Sequence, residues 1–156
     1  MPLIATDILG SSNIGLYCFC TENLAIVPLG ATAKKMRGFA EALEVETCST
    51  NVGGCRLLGA LIAGNSNGLV LPHFAEQHEI QIMKSHLDTN VQAIREKRNA
   101  LGNMILANDK GAVADVRLSR ETLEAVSDVL GVEVVPGGIL GLPCIGAFAA
   151  STNNGV

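Results

Sequence analysis

Apolar runs and polar turns recur along this chain on a long, nearly constant period. Ile14-Gly15, Leu58-Gly59, Leu101-Gly102 and Ile145-Gly146 each stand in an apolar run, and their glycines are 44, 43 and 44 residues apart. Six residues beyond each glycine begins a polar turn: Thr21-Glu22-Asn23-Leu24, Asn65-Ser66-Asn67-Gly68, Asn108-Asp109-Lys110-Gly111 and Thr152-Asn153-Asn154-Gly155. Three of the four end in glycine, which predicts a short hairpin whose last residue takes positive φ. A strand into each turn is expected to start at the glycine, as in Gly59-Ala60-Leu61-Ile62-Ala63, and a second to lead out, as in Leu69-Val70-Leu71-Pro72. Pro28 and Pro72 close the second strand in the first two copies, and Asp115 stands there in the third.

A helix follows each pair of strands. Thr32 is positioned as an N-cap ahead of Met36, Phe39, Ala40 and Leu43, which share one helical face. Ser119 stands in the same relation to Leu123, Val126 and Leu130, with Gly131 where a C′ glycine belongs. Ile80, Met83 and Leu87 take this role in the second copy, with weaker caps. Short third strands are predicted over 45–49, 91–94 and 132–135, with Gly53-Gly54 and Gly137-Gly138 after two of them.

The repeated unit is thus ββαβ, and the fold class is α+β. One repeat domain, 1–156, divides near 10–53, 54–98, 99–140 and a partial 141–156. The strands read apolar on both faces, so no unit buries its own surfaces and stability must come from stacking neighbours. A helix in every unit favours a ring or propeller over a horseshoe, with Ala60 and Ala147 small enough to let strand starts crowd an axis.

Composition narrows the function. Apolar residues make up 48% of the chain and charged ones 17%, which excludes a disordered chain. With 17 glycines, no Trp and 3% aromatics, the core must be small aliphatic side chains packed closely around glycine. A net charge of −4 argues against a general cationic grip on nucleic acid or membrane phosphates. No basic residue precedes Lys34 and Asp7 lies ahead of it, so no secretory signal is read. The uncharged stretches 57–75 and 134–156 contain Asn65, Ser66, Asn67 and His73, or Pro136, Gly137, Gly138 and Pro143, and read as buried strands joined by turns rather than membrane spans. Cys18, Cys20, Cys48, Cys55 and Cys144 are odd in number and lack a CxxC spacing. They read as small core thiols in a reducing cytoplasm, with Cys18 and Cys20 on one strand face.

Motifs of known chemistry are sparse. Gly54-Cys55-Arg56-Leu57-Leu58-Gly59 has the glycine frame of a phosphate loop, but Ala60-Leu61 replaces the Lys-Ser/Thr pair that would hold phosphate. His73, His78 and His86 do not form a metal-binding pair on one helical turn and read as exposed helix residues. Asn65, Asn67, Asn108 and Asn153 read as turn formers. Lys34, Lys35, Arg37 and the 95–98 run read as solvated faces, with a minor role beside RNA as the alternative. Arg56 is the one cation of its tract, and a partner surface is favoured over a carboxylate for it. Asn103 is the odd residue at its position, where the other copies carry Leu16, Ala60 and Ala147. It either meets a partner or hydrogen-bonds two units together.

These strings resemble the archaeal and eukaryotic translation initiation factor six family, the ribosome anti-association factor. The resemblance is carried by Asn13-Ile14-Gly15, by Gly64-Asn65-Ser66-Asn67-Gly68-Leu69-Val70-Leu71-Pro72 and by Ala100-Leu101-Gly102-Asn103. It continues through Ala107-Asn108-Asp109-Lys110-Gly111-Ala112, then through 128–135 and Thr152-Asn153, and the wording is closest to archaeal members. It implies a pentein-type β/α propeller, five units about a pseudo-fivefold axis. It also implies a monomeric, cytoplasmic factor of protein and ribosome biosynthesis with no reaction, cofactor or metal. The implied partner is the large ribosomal subunit at its intersubunit face, chiefly a ribosomal protein near the sarcin–ricin loop, where binding blocks the small subunit. No DNA or membrane partner is implied. Implied ribosome-binding residues are Asn13, Gly15, Arg56, Gly59, Ala60, Gly102, Asn103, Gly146 and Ala147; eukaryotic members carry Arg where Ala60 stands.

Five units need roughly 220 residues, and the chain reaches only the turn of the fourth. The expectation is an N-terminal part of a longer protein with open strand edges and bare apolar faces. Two other classes stay open: a pentein enzyme using Cys and His on guanidinium substrates, and a structural repeat scaffold.

Overall fold

The computed structural model describes residues 4–86 and 90–156. Its strands form three separate three-stranded sheets of one topology. Sheet 1 follows the one-turn helix α1 (Ile14–Tyr17) and holds β1 (Phe19–Cys20), β2 (Leu24–Pro28) and, after α2 (Ala33–Leu43), β3 (Glu46–Thr50). Sheet 2 follows α3 (Leu58–Leu61) with β4 (Ala63–Gly64), β5 (Gly68–Pro72), α4 (Gln77–His86) and β6 (Asn90–Ile94). Sheet 3 follows α5 (Leu101–Met104) with β7 (Ile105–Ala107), β8 (Ala112–Asp115), α6 (Arg120–Leu130) and β9 (Val134–Gly137); α7 (Ile145–Phe148) comes last.

In every sheet the first pair is antiparallel, the second is parallel and the strand between the two turns is central. A parallel pair needs a crossover, which α2, α4 and α6 supply. The central strands β2 and β5 are buried along their whole length, as their unbroken apolar wording predicts. Pro28, Pro72 and Asp115 end the central strands, as expected. The third strands lie within two residues of their predicted ranges.

The helix signals hold where capping chemistry is strongest. Thr32 accepts from Lys35 N and Ser119 from Thr122 N, and Gly131 ends α6 in the left-handed region at φ 63°. Glu44 takes the matching position after α2 at φ 58°. Phe39 and Ala42 are the buried residues of α2, whereas Leu43 is exposed. Ile80 and Met83 are buried in α4; Leu87 lies outside the described residues.

Each of these helices is tied to the linker that precedes its sheet through its third residue from the cap. Lys35 Nζ pairs with Asp7 and donates to its carbonyl at 2.6 Å. Buried Glu79 accepts from Gly53 N at 2.6 Å and Gly54 N at 3.0 Å, and also from Glu76 N just ahead of α4 at 2.9 Å, the reciprocal half of a capping box. Thr122 Oγ1 donates to Glu96 Oε2 at 2.9 Å.

The core lies between successive sheets. Leu24, Ile26 and Cys48 of sheet 1 share a buried cluster with Leu69, Leu71, Ile80, Met83 and Val91. Val70 and Ile94 of sheet 2 do the same with Ala112, Ala114, Val126, Val129 and Leu130. Ile26 is paired with Cys48, and the matching pair in sheet 3, Val113 and Val135, is only partly covered.

Two expectations need correction. Gly15, Gly59, Gly102 and Gly146 do not start strands; each lies inside a one-turn helix, and the strands begin later. Among the turn glycines, none of Gly68, Gly111 and Gly155 has positive φ. Gly68 is required for space instead, because a Cβ there would overlap the Val129 carbonyl.

Candidate functional site

The four one-turn helices make one continuous row, α1 against α3, α3 against α5 and α5 against α7. A Cβ on Gly59 would overlap the carbonyl oxygen of Gly15, one on Gly102 that of Gly59, and one on Gly146 that of Gly102. Only a Cα–H fits against those oxygens, so the backbones touch through weak C–H···O contacts. All four glycines line a single cavity of about 170 Å³ together with Ile62, Ile105 and Ala150.

The row carries the residues singled out from sequence. Asn13, Gly15, Arg56 and Ala147 are exposed, Gly59, Gly102, Asn103 and Gly146 are half-buried, and Ala60 is buried at 8% exposure. Leu16 and Phe148, which sequence reasoning passed over, add exposed apolar surface. Asn103 N donates to the Ala100 carbonyl, and among the described residues its side-chain amide has no hydrogen-bond partner. Arg56 pairs with no carboxylate among the described residues.

The inter-unit hydrogen bonds that form one of the two alternatives for Asn103 are made by the polar turns instead. Asn65, almost fully buried, donates to the carbonyls of Asn108 at 3.1 Å and Leu130 at 3.0 Å, while its Oδ1 accepts from Asn67 N and Gly68 N. Asn108 repeats this, donating to the Thr152 carbonyl at 3.0 Å and accepting from Lys110 N and Gly111 N. Both are turn formers, as expected, and inter-sheet ties besides. Asn67 donates to the Leu130 carbonyl. Asn153 differs: it exchanges bonds with Asp109, and its N donates to Glu22 Oε1 at 2.8 Å, joining the fourth turn to the first. Burial alone would raise the Asp109 carboxyl, but bonds from Asn153 and Ser66 N outweigh it and hold it below its ordinary value.

Asp115 is the other polar centre. It is fully buried and accepts from Arg117 Nε at 2.9 Å, Arg117 Nη2 at 2.6 Å, Arg117 N at 2.9 Å and Cys144 N at 2.7 Å. The Arg117 guanidinium beside it holds its carboxyl well below the usual carboxylate range. A carboxylate where the first two sheets have proline was the signal in the sequence; it anchors the end of β8 to the start of α7.

Relatives decide what this arrangement belongs to. A profile of the eIF-6 family matches residues 3–156. The chain belongs to the eIF-6 family. It is 34% identical to translation initiation factor 6 of Staphylothermus marinus over 99% of this chain and 70% of that protein. The factor of Nitrosopumilus maritimus is 40% identical over 90% of this chain and 64% of its own length, and that of Methanocaldococcus jannaschii 37% over 94% and 66%. The chain thus spans about two thirds of the length of these relatives.

Membership in the eIF-6 family makes this a non-enzymatic protein and sets aside guanidinium chemistry. The thiols of this family member are free, and burial pushes Cys18 up to about 11 and Cys48 to about 12. Only Cys48 is a fully buried thiol; Cys20 is exposed, Cys18 ends α1 rather than sharing a strand with Cys20, and Cys144 precedes α7 at φ 63°. Of the histidines, His78 and His86 lie on α4, and His86 Nδ1 bonds Glu46 Oε1 at 2.6 Å; His73 lies in the loop after β5. Among the described residues no helix is long and apolar enough to cross a membrane, and no three His, Cys, Asp or Glu gather around a common point.

Proposed function

We propose that this protein binds the large ribosomal subunit at its intersubunit face, chiefly through a ribosomal protein, and keeps the small subunit from joining. The family supports a translation initiation factor with a ribosome-related partner. The observation that carries the finer reading is the row of four touching helices, which presents Asn13, Arg56, Asn103 and Ala147 on neighbouring elements. The free amide of Asn103 supports a contact with a partner, since its internal alternative is made by other residues. Gly59, Gly102 and Gly146 let the helices approach, and Ala60 fills space beneath them. The units 10–53, 54–98 and 99–140, with 141–156, are read as wedges around one axis, in the manner of a pentein, and the factor as a cytoplasmic monomer active in translation and ribosome biogenesis.

Sedimentation tests this directly. The protein should co-sediment with purified large subunits, and small subunits added afterwards should fail to join them. Normal joining at saturating factor would sink the reading.

A further inference from the structure

Four basic residues of this acidic chain, Arg95, Lys97, Arg98 and Arg117, lie where the linker after β6 meets the loop before α6. Segment 95–120 holds six of the eleven lysines and arginines against three carboxylates, a net +3 that leaves −7 on the remainder. Two of those carboxylates, Glu96 and Asp115, are buried. Glu96 accepts from Lys97 N at 2.8 Å, Arg98 N at 3.3 Å and Thr122 Oγ1 at 2.9 Å, so its charge holds the linker from beneath. Arg98 Nη1 donates to the Arg117 carbonyl at 3.2 Å, which joins the linker to the loop before α6. The cations remain at the surface: Arg95, Lys97, Arg98 and Arg117 are all exposed. At the matching linkers the chain carries the uncharged tips Leu9-Gly10, Gly53-Gly54 and Leu140-Gly141.

We propose that Arg95, Lys97 and Arg98, backed by Arg117, form a phosphate-contact surface for RNA. The inference deepens the reading above and rests on it for the source of the RNA: α5, with Asn103, follows this linker after Asn99 and Ala100, so an RNA contact would flank the protein contact. The scarcity of apolar surface beside these cations favours RNA over an acidic protein. Arg95 and Lys97 have no intramolecular partner among the described residues, so their donors are free, and arginine forks take phosphate oxygens in pairs. One exposed large apolar side chain, Val116, lies in this corner, too little for the apolar centre of a protein interface.

The test uses a fluorescein-labelled RNA hairpin, the wild-type protein, R95Q/K97Q, and the charge-matched control K34Q/R37Q on α2. Neither pair makes a side-chain hydrogen bond or ion pair to another described residue, so both variants are expected to fold. At about 50 mM salt the wild type should bind the hairpin, R95Q/K97Q should bind at least about fivefold more weakly, and its log affinity against log salt should be shallower by about 1 to 2. The control should stay within about twofold of wild type. No hairpin binding by the wild type, or an equal loss in both variants, would overturn the assignment. Polyglutamate competing as well as RNA, charge for charge, would overturn it in favour of an acidic protein. Because the hairpin assay contains no ribosomes, a failure of large-subunit binding sinks the earlier reading without touching this result.

Discussion

Gly102 rests its Cα against the carbonyl oxygen of Gly59, with no space for a Cβ between them. Two one-turn helices from different parts of the chain therefore meet through bare backbone. Gly102→Ala should cost about 3 kcal/mol, because the obstacle is backbone that cannot rotate away. Gly15→Ala should change stability by less than about 0.5 kcal/mol, since nothing lies within 4 Å of its added methyl. Urea unfolding of the two variants makes the comparison, and equal costs would mean that the helices do not touch in this way.

The buried Asp115 should make stability depend on acid pH. Arg117 lowers its carboxyl in the folded protein, so the unfolded chain takes up the proton more readily. The contribution is complete above the ordinary Asp value of about 4 and drains away as pH falls below it. Asp115→Asn should cost about 3 kcal/mol at neutral pH, as expected for breaking a buried charged network. The gap between wild type and variant should hold from neutral pH down to about pH 5 and narrow as pH falls through about 4 toward about 2. A gap that stays constant would separate Asp115 from the acid sensitivity.

Turn and loop residues trade size across matching positions. Phe74 lies over Gly53, where a Cβ would strike its ring, whereas Leu9 lies over Gly30 at contact distance. Gly53→Ala also meets left-handed backbone strain at φ 57°, so it should cost about 2–4 kcal/mol. Adding Phe74→Ala should return about 1 kcal/mol or more of that, leaving the φ strain. Strictly additive costs in a double-mutant cycle would refute the packing argument.

The parts of the fold legible in the sequence are those where one residue's chemistry fixes the backbone. Thr32, Ser119 and Gly131 announce helix ends, and Pro28 and Pro72 announce strand ends. The one-turn helices were hidden because Asn13, Leu57, Ala100 and Cys144 make no side-chain cap and a short apolar run fits strand or helix equally well. Gly68 was correctly marked as special for the wrong cause, since a clash with Val129, 61 residues away in sequence, is invisible to local reasoning. The same holds for the candidate site: the odd polar residue Asn103 stood out, but the exposure of Leu16 and Phe148 depends on neighbours that only packing brings together.

Asn103 separates a contact role from a structural one. An amide that holds the fold together would lower stability when replaced, and affinity only through unfolding. The free amide in α5 leads to the opposite pattern. Asn103→Leu should leave the unfolding midpoint within error and weaken binding to large ribosomal subunits by about 1–3 kcal/mol, the range of an interface hot spot. Asn65→Ala supplies the contrast, because it strips donors from the Asn108 and Leu130 carbonyls and should cost about 2–3 kcal/mol of stability. Sedimentation at several factor concentrations, paired with unfolding of the same preparations, reads both quantities. If Asn103→Leu binds as the wild type does, Asn103 lies outside the contact, and the assignment of the helical row passes to Arg56, Asn13 and Ala147.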